Sequence, residues 1–129
     1  MPTTLLAVVV DCRDSLSQAS WWAAALGHRM SERNTDEYEV SDPASGGTPL
    51  YFMNVPEAKV VKNRVHVDIR TDRSLDDEVA RLVAAGGTLV ELRQDPATLA
   101  NPDTLAVMQD PEGNEFCVLN ADSVTGMTA

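Results

Sequence analysis

The sequence predicts an α+β fold of two βαβββ modules forming a curved mixed sheet around a concave cavity. Three observations predict it. Strand-like and helix-like segments run in the order β-α-β-β-β twice. The glycines that end the two helical segments, Gly27 and Gly86, are 59 residues apart. Each half also offers one helix to cover four strands, so one sheet face needs another partner, and two sheets around a shared concavity provide it. The 129 residues then form one domain, with module 1 over about 4–56, module 2 over about 62–120, and a tail at 121–129.

In module 1, Leu5 to Asp11 is a β-branched run of strand length. Asp14 or Ser15 caps the following helix, and Ser15 with Gln18 has capping-box spacing. Leu16, Ala19, Trp22, Ala23 and Leu26 form its apolar stripe and Gly27 its stop, which sets the helix at about 15–26. Trp21 and Trp22 are expected to divide between core and interface. His28–Ser31 and Tyr38–Ser41 are strand candidates around a polar turn, Glu32–Glu37. Asp42–Gly47 is loop chemistry, and Leu50–Val55 is a strand closed by Pro56.

Module 2 opens on a stretch that alternates without a break. Arg64, His66, Asp68 and Arg70 fall on one face, and Val65, Val67 and Ile69 on the other. A period of two predicts a strand with one polar and one apolar face, which sets His66 and Asp68 side by side. Asp72 and Ser74 offer caps for a second helix over 74–85. Its stripe is Leu75, Val79, Leu82 and Val83, and Gly86-Gly87 ends it. Thr88–Leu92, Leu105–Gln109 and Glu115–Leu119 are the remaining strands. A long loop at 94–103 carries Pro96 and Pro102, and Asp110–Asn114 supplies the last tight turn.

Composition bounds the function. A formal net charge of −10 argues against nucleic acid and anionic membrane as partners. Met1-Pro2-Thr3-Thr4 lacks the basic start of a signal peptide, and Leu5–Val10 is too short to span a membrane. Two cysteines, Cys12 and Cys117, make no disulfide framework, so a reduced, cytoplasmic protein is expected. The sequence contains no Gly-rich phosphate loop after a strand, no Ser elbow, no CxxC and no HExxH.

Three segments resemble the vicinal oxygen chelate superfamily of glyoxalase I, extradiol dioxygenases, bleomycin-resistance proteins and fosfomycin-resistance transferases. The first is Asp14 through Trp21-Trp22 to Leu26-Gly27. The second is His66 with the helix after it and Gly86-Gly87. The third is Asp110-Pro111-Glu112-Gly113-Asn114-Glu115-Phe116-Cys117. Among relatives, residues 62–68 look most like small glyoxalase-like domain proteins. The resemblance implies a glyoxalase-like fold, a homodimer, and four metal-ligand positions on the first and last strand of each half. Those positions fall at Ala7, near Tyr51–Met53, at His66 and at Cys117. Ala7 has no donor atom and the carboxylate of the second position is missing, so two ligands remain where a zinc or iron site wants at least three. The expectation is therefore no metal cofactor, with His66 and Cys117 as ligands if a divalent ion does bind.

His66 is read as a ligand, a general base or a hydrogen-bonded wall residue. The absence of corroborating donors favours the wall. Asp68 either orients the imidazole and raises its pKa, as catalysis requires, or forms a salt bridge. Cys117 is a cavity thiol or a small hydrophobe, and Glu115 a rim carboxylate. Tyr51 and Met53 alternate with Leu50 and Phe52, and one pair is expected to line the cavity. The ligand-binding set is thus Tyr51, Met53, His66, Asp68, Glu115 and Cys117. Two readings follow. One is a metal-free module that binds a small, partly apolar organic molecule. The other is a lyase, isomerase or dioxygenase-type enzyme, not glyoxalase I itself, with His66 and Asp68 as its catalytic residues. A regulatory partner domain is a third class without positive support in the sequence.

Overall fold

Eight strands and two helices follow the expected order in the computed structural model, which describes residues 2–94 and 103–120. They are β1 (Val8–Cys12), α1 (Ser15–Leu26), β2 (Arg29–Asn34), β3 (Glu37–Ser41), β4 (Leu50–Asn54), β5 (Asp68–Thr71), α2 (Leu75–Ala84), β6 (Thr88–Gln94), β7 (Asp103–Gln109) and β8 (Glu115–Asn120). The interior of the expected 94–103 loop, with Pro96 and Pro102, and the 121–129 tail lie outside the described residues. The chain divides into two compact units, Met1–Lys59 and Val60–Ala129.

Each unit holds one open four-stranded mixed sheet of the same topology. The strand order is β1-β4-β3-β2 in the first and β5-β8-β7-β6 in the second. The module's first strand runs parallel to its last in each case, and the other pairs are antiparallel. In a βαβββ chain strands one and four run the same way, so they can pair in parallel as they do here. The helix carries the chain back across the sheet, whereas the later strands pair through antiparallel turns.

In the first unit the Asp14 carboxylate accepts the Ser17 N–H at 3.1 Å, so Asp14 is the N-cap. Gly27 ends the helix in the left-handed region at φ 66°. Ser15 has a different task. Its N–H donates to Asn54 Oδ1 at 2.7 Å and its hydroxyl to the Asp36 carbonyl at 2.8 Å. These bonds set the rotation of α1 about its axis. The buried stripe is therefore Ser15, Gln18, Ala19 and Trp22, while Leu16, expected on it, is exposed. Trp21 and Trp22 are both buried and meet edge to face, with centroids 5.1 Å apart.

In the first unit, two expected boundaries shift by several residues for reasons of pairing. β1 begins at Val8 rather than Leu5, because its partner β4 begins at Leu50. Leu5 and Leu6 are correspondingly exposed. The expected Glu32–Glu37 turn contracts to Thr35-Asp36. Glu32 pairs with Tyr38 and Asn34 with Glu37, and Asp36 takes the positive φ (60°) that the tight turn demands. The polar composition of the segment belongs to a hairpin strand exposed to solvent rather than to a loop.

In the second unit Ser74 caps α2 through the Asp77 N–H, and Gly86 and Gly87 donate to the Val83 and Leu82 carbonyls at its end. Leu82 packs with Ala106, Met108, Phe116 and Val118, all fully buried. Burying each large member of this set is worth about 1.5–3 kcal/mol. Glu78 is also buried, at 4% exposure. Burial pushes its carboxyl up, but hydrogen bonds from Arg81 and Thr71 and the charges of Arg81 and Arg73 hold it below the usual carboxylate value.

Candidate functional site

The edge strand β5 is shorter than its sequence alternation. It spans Asp68–Thr71, so Arg64–Val67 lie outside the strand expected over Arg64–Arg70. The cause is its single partner. β8 begins at Glu115, and the parallel register that sets Asp68 opposite Cys117 runs out at His66, which leaves Arg64 and Val65 with no residue of β8 to pair. Val65, expected on the apolar face, is 77% exposed.

Residues 63–67 are nevertheless tied to β8 at both ends. The Asn63 N–H donates to the Glu115 carboxylate at 2.8 Å, and Asn63 Nδ2 to Asn114 Oδ1 at 3.1 Å. At the other end the Cys117 N–H donates to the Val67 carbonyl at 3.0 Å. Asn114 is itself fixed by Asp110, whose Oδ1 accepts from the backbone N–H groups of Glu112 and Asn114, both at 3.0 Å. Gly113 supplies the positive φ (87°) of that turn.

His66 is held by these ties beside the head of β5. Its Nε2 lies 3.4 Å from Asp68 Oδ1, and both side chains are solvent-accessible. Cys117 is 7% exposed and faces the same way as Asp68, since register partners share a sheet face. Burial pushes its thiol pKa up, and the charge and hydrogen-bonding of Asp68 push it further, against a smaller opposing effect of Arg93 and Lys62. At neutral pH this sulfur is a thiol rather than a nucleophilic thiolate. One donor atom from each of His66, Asp68 and Cys117 lies within 4.8 Å of the others.

The surroundings are mixed in polarity. Val107 pairs with Cys117, and Leu105 with Leu119, so three aliphatic side chains share the helix-free face with Asp68 and Cys117. Gln109 and Glu115 form the next row toward the turn. Glu115, expected as a rim carboxylate, is half-buried and holds Asn63. Val61, Lys62, Asn63 and Arg64 line an open depression of about 490 Å³.

Tyr51 and Met53 belong to the first unit, on the face of β4 opposite Phe52. Tyr51 is buried, and the Arg33 guanidinium sits 3.8 Å from its ring centroid while bonding Glu37 at 2.6 Å. Met53 is 38% exposed, and Phe52 is fully buried. Sequence reasoning missed Arg33, because it placed that residue in the polar turn. It also missed Asn63 and Asn114, which carry no periodic signal. Asp68 was expected in the ligand-binding set, orienting His66 or forming a salt bridge, and not as a donor beside Cys117. The register that makes it a third donor beside Cys117 is a tertiary fact.

Of the four metal positions implied by the resemblance, only His66 and Cys117 hold donors that come together. Ala7 offers no donor, and the second position holds Tyr51 beneath Arg33, fully buried Phe52, and Met53. Three donors do assemble, but within the second unit.

Comparison with known proteins agrees with this architecture. The family described as Glyoxalase-like domain matches residues 7–119. No curated protein matches the sequence. Among solved structures, the chain is similar to a glyoxalase/bleomycin resistance protein/dioxygenase family enzyme from Burkholderia phytofirmans. The TM-score is 0.72 and the identity 21%, covering 92% of this chain and 98% of the other. It is also similar to a variant of the fosfomycin resistance protein FosX from Listeria monocytogenes, complexed with Mn(II) and 1S,2S-dihydroxypropylphosphonic acid. There the TM-score is 0.73 and the identity 10%, covering 99% and 100% of the two chains. FosX from Mesorhizobium loti follows at 0.68 and 13%, covering 92% of each.

Proposed function

Because the chain belongs to the glyoxalase-like domain family, we propose that it binds a small, partly apolar organic molecule on the helix-free face of its second sheet. The observation that carries this reading is the His66–Asp68 pair, 3.4 Å apart and solvent-accessible, beside the aliphatic row of Leu105, Val107 and Leu119. A few convergent polar groups against an apolar wall are what a small ligand requires. Lys62 and Arg64, at the adjoining depression, suit an acidic substituent on that ligand. The Listeria relative, complexed with a small phosphonic acid, supports the ligand class. A homodimer, as the resemblance implies, is part of the proposal, and light scattering reads it directly.

A panel of small organic acids and aromatic compounds tests the reading on chelator-treated protein. Binding is expected to shift the amide resonances of residues 66–68 and 117. His66→Ala is expected to weaken affinity at least about tenfold with little change in melting, as befits an exposed residue. Ligands that bind without moving those resonances, or equally well to the variant, would overturn the site.

An enzymatic reading has one observation in its favour, the His66–Asp68 contact. A carboxylate beside an imidazole orients it for proton transfer, so lyase, isomerase or dioxygenase-type chemistry would rest on His66. Under this reading His66→Ala loses turnover but keeps most ligand affinity, which separates it from the first.

A further inference from the structure

We infer that His66, Asp68 and Cys117 form a three-donor site for a borderline-soft divalent cation of the zinc class, contained within the second unit. The inference shares residues with the proposed ligand site but does not depend on the organic ligand. Two of the three donors occupy positions that the resemblance implies. The third, Asp68, does not, and it stands in for the donors missing at Ala7 and Tyr51–Met53.

Distances support the site. Donor atoms around a tetrahedral zinc lie about 3.3–3.8 Å apart, given bonds of about 2.0–2.3 Å. His66 Nε2 and Asp68 Oδ1 already have this spacing at 3.4 Å, and all three donors lie within 4.8 Å. The widest gap therefore needs a contraction of about 1 Å. Every pair includes His66 or Asp68, both exposed, so a side-chain rotation of one of them can supply it.

The backbone is organised for the task. Cys117 is fixed inside β8, the register sets Asp68 opposite it, and bonds at Asn63 and Val67 hold the His66 segment from both sides. Supporting contacts of this kind orient ligands before a metal arrives.

The donor types select the ion. One imidazole, one carboxylate and one sulfur favour Zn²⁺ or Co²⁺ over Mg²⁺ or Mn²⁺, which prefer oxygen. Cation binding converts the thiol to a thiolate, and the exposure of His66 and Asp68 leaves a fourth position open to water or a small molecule.

Titration of the chelator-stripped, full-length chain with Co²⁺ alone tests the inference. One equivalent is expected to bind and produce thiolate-to-cobalt charge-transfer absorption, which Zn²⁺ abolishes by displacement and equal Mg²⁺ does not. Cys117→Ser is expected to remove the absorption. His66→Ala and Asp68→Asn are expected to weaken affinity at least about tenfold. Absence of stoichiometric binding, or absorption that survives Cys117→Ser, overturns the site. Because Asp68 is exposed, Asp68→Asn is expected to fold even if the cysteine variant does not, and unchanged affinity in it is equally fatal. No organic ligand enters this titration, so its failure leaves the proposed function standing. The converse holds for the ligand panel on stripped protein.

Discussion

Asp68 and Cys117 are register partners across the parallel β5–β8 pair, so a carboxylate stands directly beside a buried thiol. A residue on an edge strand thereby acts on the protonation of one inside the sheet.

The first prediction follows from that pairing. Burial and then Asp68 raise the Cys117 pKa, so in chelator-treated protein its alkylation by iodoacetamide is expected to be slower at neutral pH than that of a free thiol. Asp68→Asn removes the charge and is expected to shift the rate–pH profile to lower pH, with an increase of about three- to tenfold at neutral pH. Peptide mass spectrometry separates Cys117 from Cys12. An unchanged profile would show that burial is the whole cause.

The turn before β8 gives the second. Asp110 is 3% exposed and accepts from two backbone N–H groups and from Asn114 Nδ2. Asp110→Ala strands these donors and is expected to destabilise the chain by about 2–3 kcal/mol in urea unfolding. The Asn63 contact depends on Asn114, so faster amide exchange is expected at Asn63 as well. Protection unchanged at Asn63 would mean that Glu115 holds the segment without help from Asn114.

Glu78 provides the pH-dependent prediction. Its carboxyl has a folded pKa below its usual value of 4.5, so the folded state binds this proton less readily than the unfolded state. The resulting stabilisation is present above the unfolded pKa and is lost as pH falls through the folded one. Glu78→Gln is expected to cost about 1–3 kcal/mol near neutrality, because Arg81 and Arg73 lose their charged partner. That difference should shrink steadily below about pH 4.5 in thermal melts at matched ionic strength. A difference independent of pH would assign the cost to packing.

Much of the fold was legible because local chemistry wrote it. Asp14 and Gly27 bound the first helix where capping physics places them, and the repeated β-α-β-β-β order became two sheets of one topology. Periodicity misled where it reported exposure rather than pairing. Arg64–Val67 alternate as a strand would, yet β8 starts too late to pair Arg64 and Val65 and bonds this stretch only at Val67. Leu16 suited the helix stripe, but the bonds from Ser15 to Asn54 and Asp36 turned another face inward.

The sequence by itself determined the family resemblance, the duplicated module, and the loss of donors at Ala7 and Tyr51–Met53. It also set His66 near Asp68, since two positions along one segment lie within side-chain reach. The resemblance grouped Cys117 with His66, but only the tertiary structure decided that Asp68 stands opposite Cys117. A parallel register between strands more than forty residues apart in sequence is fixed by where β8 begins and by the packing of Phe116 and Val118 beneath α2. No local pattern carries that information, because the contact is made by two segments that meet only once the core has formed.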